Sequence, residues 1–143
     1  GGFGLWQALM MMLIVSGMMV VALKYARISA EHTTDTYLRE QTELYMNSAI
    51  EMALLAISQH DRSTGGCLSN YSAPDVSMRG VTYSSDINIT KYYLLKGGAD
   101  SCSQTQWIGT EESHGMVMLE VEAKATSGSK TVVRILRRTL QRP

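Results

Sequence analysis

The sequence predicts an α+β fold in which one long N-terminal α-helix packs on a small C-terminal antiparallel β-sheet. Three observations lead there. From Leu5 to about His60 the chain has no proline and a single glycine, Gly17. Between Met116 and Leu140 two strand-like stretches flank a Ser-Gly-Ser loop, and the first alternates apolar and polar residues. Between helix and hairpin lies an irregular segment of serine, asparagine and glycine. At 143 residues the chain is one domain's worth of sequence.

The helix opens as an uncharged apolar head. Acidic and basic residues balance, 13 against 13, yet residues 1–23 hold none of them and every charge lies from Lys24 onward. The neutral balance argues against a bulk electrostatic partner, and no nucleic-acid partner is favoured. From Leu5 to Leu23 only Gln7, Ser16 and Gly17 interrupt the apolar run. About 19 residues at 1.5 Å each give roughly 28 Å, close to the ~30 Å core of a bilayer. An ordinary core helix would carry a polar face, which this segment lacks. A cleaved secretory signal would end in a small-residue site, whereas here Lys24, Tyr25, Ala26 and Arg27 continue the helical pattern. The segment reads as a retained span. Its methionines, Met10, Met11, Met12, Met18 and Met19, read as flexible fillers of helix–helix gaps, and Ser16-Gly17 as a place for close helix approach.

The second half of the helix is amphipathic. Leu38, Thr42, Tyr45, Ala49, Met52, Ala53, Ala56 and Ile57 recur at helical spacing. Glu31, Asp35, Arg39, Glu40 and Glu43 lie largely off that stripe. Asp61-Arg62-Ser63-Thr64-Gly65-Gly66 supplies the stop. A continuous helix of about 56 residues spans roughly 84 Å, too long to bury itself in a small domain. Its first half therefore belongs in lipid or against other copies. The expected division is 1–28 for the membrane or core segment, 29–62 for the amphipathic half and 63–143 for the globular region.

Beyond the helix, Val81 to Tyr83, Ile87 to Leu95 and Trp107-Ile108 are rich in β-branched and aromatic residues and read as short strands. In Met116 to Thr126, Val117, Leu119, Val121, Ala123 and Ala125 alternate with Met118, Glu120, Glu122 and Lys124. Ser127-Gly128-Ser129 then reads as a three-residue loop, and Lys130 to Leu140 as the returning strand. That register sets Glu122 opposite Arg134 and Val121 opposite Ile135. Cys67 and Cys102, 35 positions apart, read as a disulfide if the body is exported, and as two buried thiols if it is cytosolic.

Catalytic and ligand-binding patterns are missing. His32, His60 and His114 form no metal-ligand spacing, and no nucleophile elbow, phosphate loop or dinucleotide fingerprint occurs. The expectation is no enzyme, no metal and no cofactor, with the histidines solvated or capping locally. The basic C-terminal residues Lys130, Arg134, Arg137, Arg138 and Arg142 read as a solvated strand face pairing with Glu120 and Glu122; a nucleic-acid or lipid contact is the sharper alternative, weakened by the absence of stacking aromatics. Asn70-Tyr71-Ser72 and Asn88-Ile89-Thr90 are N-x-S/T triplets, and Asp86 before Asn88 makes it the candidate glycosylation site.

The run Gly2-Phe3-Gly4-Leu5-Trp6-Gln7-Ala8-Leu9, followed by the long helix, the cysteine pair and the closing hairpin, resembles type IV pilins and type II secretion pseudopilins. The resemblance implies cleavage by a prepilin peptidase between Gly2 and Phe3, after a short basic leader, with methylation of Phe3. It places Leu5 and Leu9 at apolar assembly positions. Gln7 stands where the family usually has a glutamate that partners a neighbour's N-terminal amine; it accepts a hydrogen bond but supplies no charge. The family's helix-kinking proline near residue 24 is absent, so the helix either runs straighter or loosens near Ser16-Gly17. Lys24 and Arg27 alone would hold the body in the cytoplasm; the basic leader implied by the resemblance reverses that.

The resemblance implies a structural subunit of a type IV pilus or pseudopilus. It would wait in the bacterial inner membrane with its body in the periplasm, then join a periplasmic or extracellular helical filament of its own copies or of other pilin-like subunits. The alternative from another class is a single-span, membrane-anchored periplasmic protein that binds a partner without assembling.

Overall fold

The computed structural model describes residues 2–62, 66–96 and 102–143. Ser63, Thr64 and Gly65 of the expected helix stop lie outside the described residues. Helix α1 is one element, Gly2–Gln59, of 58 residues. At 1.5 Å per residue it is about 87 Å long. Helical structure continues unbroken through Ser16-Gly17, so the helix does not loosen there. At its end the His60 amide donates to Ile57 O at 3.3 Å, and His60 Nε2 lies 3.1 Å from Gly66 O. His60 thus caps the turn locally.

The chain divides inside α1: one unit ends at Tyr37, and the second is Leu38–Pro143. In the second unit the helix lays one face on a sheet. Thr42, Met46, Ala49, Ile50, Ala53 and Ile57 are its buried residues. The seam shares Thr42, Ala49, Ala53 and Ile57 with the stripe seen in the sequence. Met46 and Ile50 complete it, while Tyr45 and Met52 are only partly buried at its margin. Facing them is the inner face of the sheet, with Ile87, Ile89, Val117, Leu119, Val121 and Ala123 almost wholly excluded from solvent. The period-two alternation of Met116–Ser127 is what delivers this face: its alternate residues from Val117 to Ala125 are all buried, and those between them are half-buried.

The sheet contains β1 (Asn70–Met78), β2 (Val81–Leu95), β3 (Thr105–Ile108), β4 (Met116–Ser127) and β5 (Lys130–Gln141). Its order is β1-β2-β4-β5, with neighbours antiparallel. The short β3 lies beside Tyr92–Leu95 of β2 and runs parallel to it. A single turn of 3-10 helix, Glu111–Ser113, leads into β4.

Three expectations need correction. Strand β1 occupies a segment read as irregular. Pro74 is tolerated in it because β1 is an edge strand with a register irregularity between Ala73 and Val76. The stretches 81–83 and 87–95 are one strand of 15 residues. Ser85 and Asp86 are drawn into it because β1 pairs with them on one side and β4 on the other, and Ser84, at the irregularity of β1, is held by its pairing with Lys124 of β4. The closing hairpin turns on two residues, Gly128 and Ser129, with Ser127 opposite Lys130. Gly128 has φ 62°, which suits the first central position of a type II′ turn. A bulge between Ala125 and Thr126 then shifts the ladder, so Glu122 faces Leu136, Ala123 faces Ile135 and Val121 faces Arg137. The shift from the expected register is by two residues, which leaves each side chain on its expected face.

The segments outside α1 and the hairpin are pinned by polar contacts and a covalent link. Cys67 and Cys102 form a disulfide, with Cα atoms 5.8 Å apart. Tyr45 of α1 donates its hydroxyl to Pro74 O at 3.0 Å, at the irregular point of β1. Tyr92 of β2 is buried and donates to Leu68 O at 2.5 Å. Burial pushes the phenol of Tyr92 above its usual value, against an opposing pull from Arg62. Burial also raises the phenol of Tyr45, outweighing the opposing influence of the nearby Ser85 hydroxyl. A raised phenol pKa in the folded state stabilises the fold fully below the unfolded value near 10.0, and that stabilisation is lost as pH climbs through the folded value. Tyr92→Phe should therefore cost about 1 kcal/mol at neutral pH, from the lost hydrogen bond. It should also make the fall in stability above about pH 10 shallower. Denaturant unfolding of the detergent-solubilised chain at pH 7 and at alkaline pH reads both effects; an unchanged alkaline slope would show that Tyr92 does not couple folding to pH.

Candidate functional site

Two surfaces of the chain are chemically distinctive. The first is the head of α1. Every residue from Gly2 to Tyr37 is exposed. Phe3, Leu5, Trp6 and Leu13 leave 87%, 71%, 64% and 70% of their surface open. Isolated apolar residues are ordinary on a protein surface, but a contiguous band of this size marks a surface that meets lipid or another chain. The helix is long and apolar enough to cross a membrane. Phe3, Leu5, Gln7 and Leu9 all lie on it. Phe3 and Gln7 are one turn apart on one face, as are Leu5 and Leu9 on another. Gln7 is the polar group of this first stretch and is exposed.

Below the apolar band, Lys24 and Arg27 begin a polar stretch. Here the threonines turn inward on the backbone: Thr33 Oγ1 donates to Ser29 O at 2.9 Å, Thr34 Oγ1 to Ala30 O at 3.0 Å, and Thr36 Oγ1 to His32 O at 2.9 Å. Such bonds to the carbonyl four residues back let a β-branched, polar residue sit within a helix.

The second surface is the sheet face turned away from α1. Strand register aligns its residues in rows. Asn70, Asn88, Glu120 and Arg138 form one row, and Ser72, Asp86, Glu122 and Leu136 the next. Asp86, Asn88, Glu120, Glu122, Leu136 and Arg138 line an open groove there. Arg138 pairs with Glu120 through Nε at 3.1 Å and through a second nitrogen. Arg134 reaches diagonally to Glu122 at 2.5 Å, and Lys124 meets the same carboxylate at 3.1 Å. The Lys124 ammonium, helped by Arg134, holds the Glu122 carboxyl below the usual range. The direct Asp86–Glu122 pairing of like charges is thereby offset. The basic strand thus pairs with Glu120 and Glu122, as its sequence suggested. Arg137, which points the other way, donates to Asn47 Oδ1 of α1 at 3.3 Å, and Arg142 donates to the Glu112 carbonyl.

Asn88 is exposed, but it sits within β2, flanked by Asn70 of β1 and Glu120 of β4. The two N-x-S/T asparagines are therefore cross-strand partners. His114 accepts the Leu95 amide at Nδ1, 3.0 Å away, and so serves as a local brace. Among the described residues no group of three or more His, Cys, Asp or Glu is placed to hold a metal ion.

No family model, curated protein or solved structure matches this chain. What distinguishes it is its own geometry: an exposed apolar helix half, and a sheet face on which apolar and basic residues alternate. Sequence reasoning passed over the second feature. Val132, Leu136 and Leu140 are exposed at 40%, 69% and 44%, in phase with Arg134 and Arg138. The period-two spacing of these five residues was a readable signal.

Proposed function

We propose that this chain is a structural subunit of a type IV pilus-like or pseudopilus filament. It enters the filament from a membrane pool through its apolar helix and carries no catalytic site. The observation that supports this reading most is α1 itself. One helix joins a fully exposed half, uncharged as far as Leu23, to a half that is built into a folded body. In a bilayer the apolar half is solvated by lipid; bundled with copies of itself it is solvated by protein. The Gly2-Phe3 start and the Leu5, Gln7 and Leu9 positions fit the same reading, with the body on the periplasmic side, where the Cys67–Cys102 bond persists.

Gln7 favours a second reading, a single-span membrane protein that binds a periplasmic partner and stays in the membrane, since it brings no charge to a neighbour's N-terminal amine. Shearing cells that make the full chain, and measuring the intact mass of the protein released, separates the two. The filament reading expects sheared fibres containing a chain that begins at Phe3 with one added methyl group. Recovery of the chain solely as a membrane-bound monomer, with residues before Phe3 retained, would sink it.

A further inference from the structure

The body carries two exposed ridges that complement each other and cannot meet within one molecule. On α1, Glu40, Leu44, Ser48, Glu51 and Leu55 follow one another at steps of three and four and are all exposed. Leu44 and Leu55 leave 62% and 57% of their surface open. The ridge contains two carboxylates and no basic residue. On β5 the outward face reads Val132, Arg134, Leu136, Arg138 and Leu140, with no acidic residue anywhere in the strand. The guanidiniums of Arg134 and Arg138 are shared with Glu122 and Glu120, yet their side chains remain 59% and 67% exposed. A guanidinium has five N–H donors, so each keeps donors to spare.

We infer that the outer face of β5 docks on the Glu40–Leu55 ridge of a second copy of this chain. The inference rests on the filament reading and deepens it by naming a lateral contact between bodies. Charge and apolar character match: leucines meet leucines, and Glu40 and Glu51 face Arg134 and Arg138. Spacing matches as well. Leu44 and Leu55 are about 16 Å apart along a helix, and Leu136 and Leu140 about 13 Å apart along a strand, a difference that leucine side chains span. Position supplies the rest of the argument. Within the Leu38–Pro143 unit, α1 covers one face of the sheet, so its outward ridge and the opposite sheet face lie on opposite sides of the two layers. A contact between two different patches is heterologous, and repetition of it produces an open array rather than a closed dimer.

Photocrosslinking tests the contact in the full chain. Benzoylphenylalanine in place of Leu136 should, in cells making the filament, form adducts with a second copy within residues 40–55. Adducts elsewhere on the chain, on lipid or on a different protein would overturn the docking while leaving sheared wild-type filaments, and so the filament reading, intact. Adducts to residues 40–55 in membranes that yield no filaments would support the docking and overturn the filament reading. Neither adducts nor filaments would remove both. As a second measurement, Glu51→Arg sets like charges against β5 and should lower filament yield by about tenfold or more. Since Glu51 is exposed, folding of the monomer should be unaffected; an unchanged yield would count against the contact.

Discussion

Exchange of both Cys67 and Cys102 for alanine is expected to lower the unfolding free energy of the body by roughly 4 kcal/mol, the chain-entropy value for a bond closing a loop of 35 residues. The structure says where the loss is felt first. Both cysteines are partly buried against the core. Cys102 also anchors the start of β3: its amide donates to Thr105 Oγ1 at 2.8 Å, and its carbonyl accepts from the Thr105 amide at 3.0 Å. Strand β3 is four residues long, has no buried residue and, among the described residues, pairs with β2 alone. Hydrogen exchange on the double variant should show β3 amides opening well before those of β4 and β5. Denaturant midpoints with and without reductant measure the global effect. A loss under about 1 kcal/mol would mean that the reduced loop is already ordered in the unfolded chain.

The second large effect concerns the head. Ile14→Arg places a charge at the centre of the Leu5–Leu23 run. On insertion scales the change from isoleucine to arginine there costs about 3 to 4 kcal/mol, which is a hundredfold or greater fall in the inserted fraction. The fraction of full-length chain that resists alkaline carbonate extraction reports it. Thr33→Arg, outside the apolar run, is the control and should leave that fraction unchanged. Undiminished insertion of Ile14→Arg would show that this part of α1 is not the membrane-crossing segment.

Both effects fall on features that the sequence displays, and the reason is that they depend on local pattern. A proline-free apolar run announces a helix whatever surrounds it, and the alternation of Val117 to Ala125 announces a strand with one buried face. Other features have no local pattern. In β1 only Ala73 is buried, so no alternation marks Asn70–Met78; pairing with β2 and the tie from Tyr45 to Pro74 make it a strand. Ser84, Ser85 and Asp86 are weak strand formers that pairing with β4, joined at Ser85 and Asp86 by pairing with β1, overrules. The hairpin register depended on a bulge at Ala125/Thr126 that no residue type signals. The rows Asn70–Asn88–Glu120–Arg138 and Ser72–Asp86–Glu122–Leu136 exist through that register, so the outer face became readable with the pairing of strands. The head differs again: Phe3, Leu5, Gln7 and Leu9 were identified by resemblance, and their placement on one exposed helix is compatible with the roles proposed for them.

The threonines at 33, 34 and 36 have a consequence of their own. By composition this stretch is hydrophilic, and hydrophilic groups ordinarily bind a helix to water. Here the three hydroxyl protons are already committed to carbonyls of the same helix, and what the side chains add outward is largely methyl. Moving such a stretch from water to the lipid headgroup layer, or onto another polypeptide, strands none of those donors. The stretch between the apolar run and the folded body thus interleaves its charges with three threonines nearly indifferent to their surroundings.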